Sequence, residues 1–165
     1  MSEQGRTYAE YIIRELETER ERRATLDARG ASVVAVSASL ATLLAAVGAF
    51  VSGQDDFILP KGAVAPLTLT LLAFAAASAC GISATFLWRY SAPAVESLSA
   101  MVTGKWMTDE VDARNYVARL DLEAIRSLRV RNMYKARWLI AAFFFQLSGL
   151  VLLTVAVHQM MRGAS

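Results

Sequence analysis

Few residues of this 165-residue chain have side chains that could do chemistry. The chain contains one histidine, His158, and one cysteine, Cys80, and both lie in long apolar stretches. An activated nucleophile or a metal site needs several such groups close together, and the sequence has no glycine-rich phosphate loop. The sequence therefore predicts no catalytic residue, no metal site and no cofactor, and it argues against an enzyme.

The densest group of reactive side chains is a run of basic residues in the C-terminal half. It comprises Arg126, Arg129, Arg131, Lys135 and Arg137. A basic cluster next to an apolar stretch is typical of a contact with anionic lipid headgroups, and it could instead bind an anionic ligand such as a nucleotide. Nucleic acid is not expected as a partner, because the charged segments carry nearly as many acidic as basic residues.

Three long segments contain no aspartate, glutamate, lysine or arginine. They cover residues 31–54, 62–88 and 138–161, and each has at least 24 residues. A bilayer core about 30 Å thick needs about 20 apolar residues in a helix. A soluble bundle is disfavoured, because soluble helices need a polar face and a chain this short cannot easily bury three wholly apolar helices. The segments therefore predict an all-α integral membrane protein with three transmembrane helices.

The expected spans divide the chain into seven parts. The spans are residues 31–51, 64–88 and 138–160. The remaining parts are a charged amphipathic helix (1–30), a short outer loop (52–63), a helical connection (89–137) and an outer tail (161–165).

Basic residues are distributed unevenly around these spans. Of the 17 lysines and arginines, 15 lie in residues 1–30 and 89–137, and two lie in the outer loop and tail. Cytoplasmic loops are enriched in lysine and arginine. The N-terminus and the connection are therefore expected in the cytoplasm and the C-terminus outside, in the cell (inner) membrane.

The connection is expected to contain two helices. Ser91 and Pro93 are typical of a helix start, and Gly104 is typical of its end. A second helix is expected from Thr108 or Asp109. No helix-breaking residue separates it from the third span, so the two are expected to form one helix of about 50 residues, roughly 75 Å long.

The N-terminal helix and this long helix both lead from the cytoplasm into the membrane, so they are expected to lie parallel as a cytoplasmic stalk. Residues equally far from the membrane entry points, Ala31 and Trp138, should then face each other, which places Leu16 level with Glu123. The expected apolar seam comprises Tyr8, Ile12, Leu16, Tyr116 and Leu120. Nearer the membrane, the carboxylates expected close to Arg129 are Glu17, Glu19 and Glu21.

Small residues recur every four positions in the first two spans. The set comprises Ser37, Ala41, Ala45 and Ala49, followed by Ala73, Ala77 and Gly81. This spacing lets helix backbones approach closely, either within one chain or between copies in a homo-oligomer. In the third span, Gln146 is expected to hydrogen-bond between helices, and His158 is expected to reach headgroups or water.

The segment from Arg23 to Ser32 is a charged helix that ends in Asp27-Ala28-Arg29 and enters an alanine-rich span. It resembles the small transmembrane effectors of Pycsar anti-phage systems, and it is similar to the SLATT group of membrane effectors. The element from Arg131 to Arg137 before the third span fits the same layout. The resemblance implies an inner-membrane effector that oligomerises on a cyclic pyrimidine nucleotide signal and disrupts the membrane, which aborts infection.

Two functions are compatible with these features. In the first, the protein is an oligomeric, signal-triggered membrane effector, and its stalk is the sensor of a cyclic nucleotide. In the second, it is a constitutive structural or adaptor membrane protein whose stalk docks a cytoplasmic protein partner. Both place the protein in the lipid bilayer and assign the specific interaction to the stalk.

Overall fold

The computed structural model describes residues 3–52, 60–86, 94–104 and 109–163. Within these ranges the chain is almost entirely helical and has no β-strand. The four helices are α1 (Glu3–Ser52), α2 (Lys61–Thr85), α3 (Val95–Thr103) and α4 (Glu110–Gly163). The all-α prediction is confirmed. Three of these helices, α1, α2 and α4, are long and apolar enough to cross a membrane, as the three charge-free segments predict.

The helix ends follow local sequence signals. Helix α3 ends at Thr103, with Gly104 as its C-cap residue, as expected. Helix α4 begins just after Asp109, whose carboxylate accepts a hydrogen bond of 2.8 Å from the Glu110 N–H. The helix start expected at Ser91–Pro93 lies outside the described residues, as do Trp88 and the centre of the outer loop.

Helices α1 and α4 are each continuous, with 50 and 54 residues. Neither contains a proline, which is the residue that most effectively interrupts an α-helix. The expected single helix that continues into the third span is therefore present as α4. Helix α2 begins at Lys61, three residues before the predicted span. Its N-cap residue is Pro60, whose carbonyl accepts a hydrogen bond from the Ala63 N–H.

The contacts divide the chain into two compact units. The charged unit contains α1 up to Leu26, α3, and α4 up to Tyr134. The apolar unit contains α2 together with α1 from Asp27 and α4 from Lys135. Each unit has its own packing and is described separately.

In the charged unit, α1 and α4 lie side by side and run parallel. Leu16 packs with Ala124, Ile125 and Leu128, and Ile12 packs against this cluster. The inward-facing positions follow each other in alternating steps of four and three residues. They are residues 12, 16, 19, 23 and 26 of α1 and residues 121, 125, 128 and 132 of α4. This 3.5-residue period is that of a left-handed coiled coil, whose seam always faces the partner helix.

In the apolar unit, α2 runs antiparallel to α4, since Gly62 lies near Gln159 whereas Phe74 lies against Gly149. A core cluster joins all three helices and consists of Val33, Ala77, Cys80 and Ala142. The main approach of α1 to α2 is a pair of glycines. A Cβ atom added to Gly81 would lie 3.1 Å from the Gly30 carbonyl oxygen, and one added to Gly30 would lie 3.2 Å from the Gly81 carbonyl oxygen. Both distances are shorter than ordinary van der Waals contact, so the absence of a Cβ atom at the two positions favours this close backbone approach.

The Phe74 ring packs against Gly149 in the apolar unit, in space that a side chain at position 149 would occupy. The ring is fully buried, and a Cβ atom at position 149 would lie 2.8 Å from Phe74 Cε1. We expect Gly149→Ala to lower the free energy of unfolding by about 2 kcal/mol, since overpacking a tight core costs about 1–3 kcal/mol. Denaturant titration of the protein in a mild detergent, followed by circular dichroism, measures this loss.

Gly48→Ala is the matched control, because a Cβ atom at Gly48 meets nothing within 4 Å. It should leave stability unchanged or raise it slightly, as alanine favours helix more than glycine does. The cost of Gly149→Ala should also shrink in a Phe74→Leu background. An equal loss from both glycine substitutions would contradict the proposed ring contact.

Candidate functional site

A group of polar side chains occupies the seam of the charged unit, where apolar residues would be expected. Glu19 is only 5% exposed and Asn132 is fully buried. Both occupy inward-facing positions of the 3.5-residue period, on α1 and α4 respectively. Because an unpaired buried carboxylate is costly, this arrangement requires donors to Glu19 from within the unit.

Two side chains of α4 supply these donors. Arg129 Nε donates to Glu19 Oε1 at 2.9 Å, and the Arg129 guanidinium also bonds Glu15. Asn132 Nδ2 donates to Glu19 Oε2 at 2.9 Å and to the Glu19 backbone carbonyl at 3.0 Å. The hydrogen bond with Glu19 is the largest of the causes that raise the pKa of the Arg129 guanidinium. We call Glu15, Glu19, Arg129 and Asn132 the polar lock.

The polar lock is suited to fixing the alignment of α1 and α4. A buried polar residue in a coiled-coil seam specifies register, because a shifted alignment would leave it without partners. Asn132 Oδ1 is buried and has no hydrogen-bond partner among the described residues, so the lock is incompletely satisfied. The described residues contain no group of three or more His, Cys, Asp or Glu side chains that could hold a metal ion.

A cavity of about 340 Å³ lies between α1 and α4, near the start of α4. Its apolar walls include Ala9, Ile12 and Val117. Arg114 also lines the cavity, and its Nη1 atom is buried without a hydrogen-bond partner in the described part of the chain. Asp121 lies at its other end, and desolvation raises the pKa of this carboxyl although nearby Arg20 opposes the shift. The cavity could accept a small amphipathic ligand.

The apolar unit has its own buried ion pair. Lys135 has a side chain that is 1% exposed, and its Nζ bonds Asp27 Oδ1. Asp27 is 38% exposed, so the pair has one buried and one partly exposed partner. Lys135 lies at an inward-facing position in α4, followed four residues later by the buried Leu139. Asp27 therefore neutralises a charge that α4 places in an otherwise apolar core.

The structure divides the predicted basic cluster by orientation. Two members face carboxylates within the protein: Arg129 in the charged unit and Lys135 in the apolar unit. Arg126 and Arg137 are exposed, and Arg131 is half-buried. The Lys135 side chain is buried and enclosed by protein, whereas Arg126 is exposed.

Only some of the predicted apolar seam residues belong to the core cluster of the charged unit. Ile12 and Leu16 contribute to the core cluster of the charged unit, whereas Tyr8 is 69% exposed. Tyr116 and Leu120 are half-buried and are not among the residues that form this cluster. Leu16 shares its core cluster with Ala124, Ile125 and Leu128, which follow Glu123 by one to five residues in α4. Of the three predicted carboxylate partners of Arg129, Glu19 is in contact, while Glu17 and Glu21 are exposed.

The two small-residue stripes have different environments. In α2, Ala77 and Gly81 are buried and Ala73 is half-buried, so this stripe packs within the apolar unit. In α1, Ser37 is buried and Ala41 is half-buried, but Ala45 and Ala49 are exposed. The contact of Gly30 with Gly81 is not predicted from the sequence, although Gly81 belongs to the α2 stripe and Gly30 lies in the segment from Arg23 to Ser32.

The sequence predicts that Glu19 lies close to Arg129, but it does not predict the contacts of Glu15 and Asn132 or the pairing of Asp27 with Lys135. Leu128, Asn132, Lys135 and Leu139 follow each other in steps of four, three and four residues. Polar residues that interrupt such a regular apolar period are the signal that indicates a buried polar contact.

No family model, no curated protein and no solved structure matches this chain. The resemblance to Pycsar and SLATT effectors therefore rests on the sequence elements quoted above and stays a prediction.

Proposed function

We propose that the protein is an integral protein of the inner membrane that acts as an oligomeric, signal-triggered membrane effector. In this proposal α2 and the apolar parts of α1 and α4 span the bilayer, and the N-terminus lies in the cytoplasm. The charged unit receives the signal there. Three helices of sufficient length and apolarity support the membrane location, and the 15-to-2 distribution of basic residues supports the orientation.

The observation that carries the proposal is an exposed face of α1 made of small side chains. It comprises Ala35, Ser39, Thr42, Ala46 and Ala49, which follow each other in steps of four and three residues. Small residues at this spacing let a second helix approach closely in a bilayer, where no hydrophobic effect drives association. We call this set the small-residue face. It supports contact between copies of the chain, which an effector that disrupts membranes needs.

The cavity of the charged unit supports the sensing role. It combines apolar walls with Arg114, whose Nη1 atom lacks a partner among the described residues, while the carboxyl groups of Glu110 and Asp121 also line it. A ligand that carries an anionic group and an apolar or aromatic ring would satisfy both features. A cyclic pyrimidine nucleotide is the ligand that the sequence resemblance implies, and it belongs to this chemical class.

The proposal can be tested by inducing expression of the protein in bacterial cells. A dye then reports the membrane potential in the presence and in the absence of a cyclic pyrimidine nucleotide. The wild-type protein should depolarise cells when the nucleotide is present. Ala46→Leu should abolish the response and reduce chemical cross-linking between copies, because the larger side chain blocks the small-residue face. Ala75→Leu on an exposed position of α2 is the matched control and should behave as wild type.

A constitutive adaptor is the second candidate, and the surface of α3 favours it. This nine-residue helix has no buried residue, and it exposes Val95, Leu98 and Val102 along one face. Such a face is typical of a helix that docks a partner. Membrane localisation without depolarisation under any condition, together with loss of a co-purifying partner in Leu98→Glu, would favour the adaptor over the effector.

A further inference from the structure

A second cavity lies in the apolar unit, between α1 and α4. It has a volume of about 160 Å³. Its lining residues are Arg29, Ser32, Val33, Val36, Phe143 and Gln146. No described residue of α2 contributes to it. Three of the six lining residues are polar, at a position in the apolar unit where α1 meets α4.

None of the described residues forms a hydrogen bond or ion pair with the polar groups of this cavity. Seven hydroxyl groups of the apolar unit donate to the backbone carbonyl four residues earlier: those of Ser39, Thr42, Thr68, Thr70, Ser83, Ser148 and Thr154. Ser32 makes no such bond, and the Gln146 carboxamide has no hydrogen-bond partner among the described residues. In hydrocarbon such groups need a partner, because water is absent. The cavity therefore offers donors to an occupant that brings acceptors.

Arg29 lies at the level where a membrane interface is expected. Val33 of α1 and Ala142 of α4 belong to the same core cluster. Since α1 and α4 run parallel to each other, Arg29 and Trp138, each four residues earlier, lie at about the same height. Trp138 is 41% exposed, and exposed tryptophans prefer the interface between headgroups and hydrocarbon. Side chains of a helix lean towards its N-terminus, so the Gln146 carboxamide extends back towards Arg29.

The order of groups along the cavity matches the order of acceptors in a glycerophospholipid. The Arg29 guanidinium lies at headgroup level, where it can donate two hydrogen bonds to a phosphate. Ser32 follows one turn deeper, and the Gln146 carboxamide also lies on the hydrocarbon side of Arg29, where ester carbonyls of a lipid are found. Val36 and Phe143 provide apolar walls beside an acyl chain.

We propose that this cavity binds one anionic glycerophospholipid, with its phosphate on Arg29 and its ester carbonyls on Ser32 and Gln146. This inference rests on the proposed membrane location. An anionic headgroup is favoured over a zwitterionic one, because basic groups between membrane helices attract net negative charge. A second copy of the chain would bring an apolar helix face to the cavity and would leave Arg29 without an anion.

Thermal unfolding of the full chain in a mild detergent tests the site. Added phosphatidylglycerol should raise the unfolding temperature, whereas phosphatidylcholine at the same mole fraction should raise it less. Arg29→Gln should weaken the apparent affinity for phosphatidylglycerol about fivefold, which corresponds to about 1 kcal/mol for one basic group near anionic lipid. Gln146→Leu should also weaken it. Arg119→Gln, an exposed arginine of the charged unit that lies outside the predicted basic cluster, should leave it unchanged.

Equal stabilisation by the two lipids, or wild-type affinity in both cavity variants, would overturn the proposal. An equal effect of free glycerol phosphate would show a soluble anion site in place of a lipid site. A change in oligomeric state for Gln146→Leu with unaltered lipid response would show that a second copy fills the cavity. Release of the protein from vesicles by alkaline carbonate would instead refute the membrane location itself, so the two failures are distinguishable.

Discussion

Replacing Asp27 with alanine is expected to lower the free energy of unfolding of the apolar unit by about 3 kcal/mol. The substitution leaves the ammonium group of Lys135 buried without the carboxylate that neutralises it. Removing one partner of a buried ion pair costs about 3–5 kcal/mol, and the lower end applies because Asp27 is itself 38% exposed. Denaturant titration of the protein in a mild detergent measures the loss.

The double variant Asp27→Ala with Lys135→Met separates lost charge pairing from lost packing. It should recover most of the stability, because methionine fills a similar volume and brings no charge into the core. Lys135→Met alone should cost less than Asp27→Ala alone, since the carboxylate that it leaves is partly exposed. If Asp27→Ala were as stable as wild type, Lys135 would have to reach another partner or solvent, and the buried pair would be refuted.

Replacing Asn132 with leucine is expected to destabilise the charged unit by about 2–3 kcal/mol. The substitution removes the donor to Glu19 Oε2 and to the Glu19 backbone carbonyl, and a buried polar group that loses its partner costs about 1–3 kcal/mol, with more for a charged group. Hydrogen exchange of backbone amides in α1 up to Leu26 should report the loss as faster exchange.

The double variant Glu19→Leu with Asn132→Leu is the control for register. Because an apolar pair is often at least as stable as a buried polar one, this variant should regain stability. It should also lose the unique alignment of α1 and α4, which distances between spin labels at exposed Glu17 and Arg126 would reveal as a broadened distribution. A single narrow distribution, equal to that of wild type, would show that the polar lock does not set the register.

Much of the architecture follows from runs of residues that are close in sequence. The charge-free segments predict three long apolar helices, and the absence of proline from residues 110–163 predicts that α4 is continuous. Gly104 and Asp109 correctly indicate the end of α3 and the start of α4. Each of these signals acts within a few turns of helix, so it requires no knowledge of what the helix packs against.

The alignment of the helices is less accessible from sequence. Counting from the expected membrane entries places Leu16 level with Glu123, whereas Leu16 packs with residues as far along as Leu128. The count assumes that the helices enter the membrane at equivalent positions and that depth alone selects partners. In the structure, interlocking side chains and the hydrogen bonds of Glu19 with Arg129 and Asn132 select the partners instead.

The sequence by itself determined which segments are helical, which are apolar enough to span a bilayer, and where the basic residues concentrate. Those properties depend on local backbone preferences and on summed side-chain polarity. Only the tertiary structure decided that Lys135 faces Asp27, that Gly30 meets Gly81, and that Arg29 and Gln146 share a cavity. These partners are between 51 and 117 residues apart. A helix presents several faces, and only packing against its neighbours selects which one is buried.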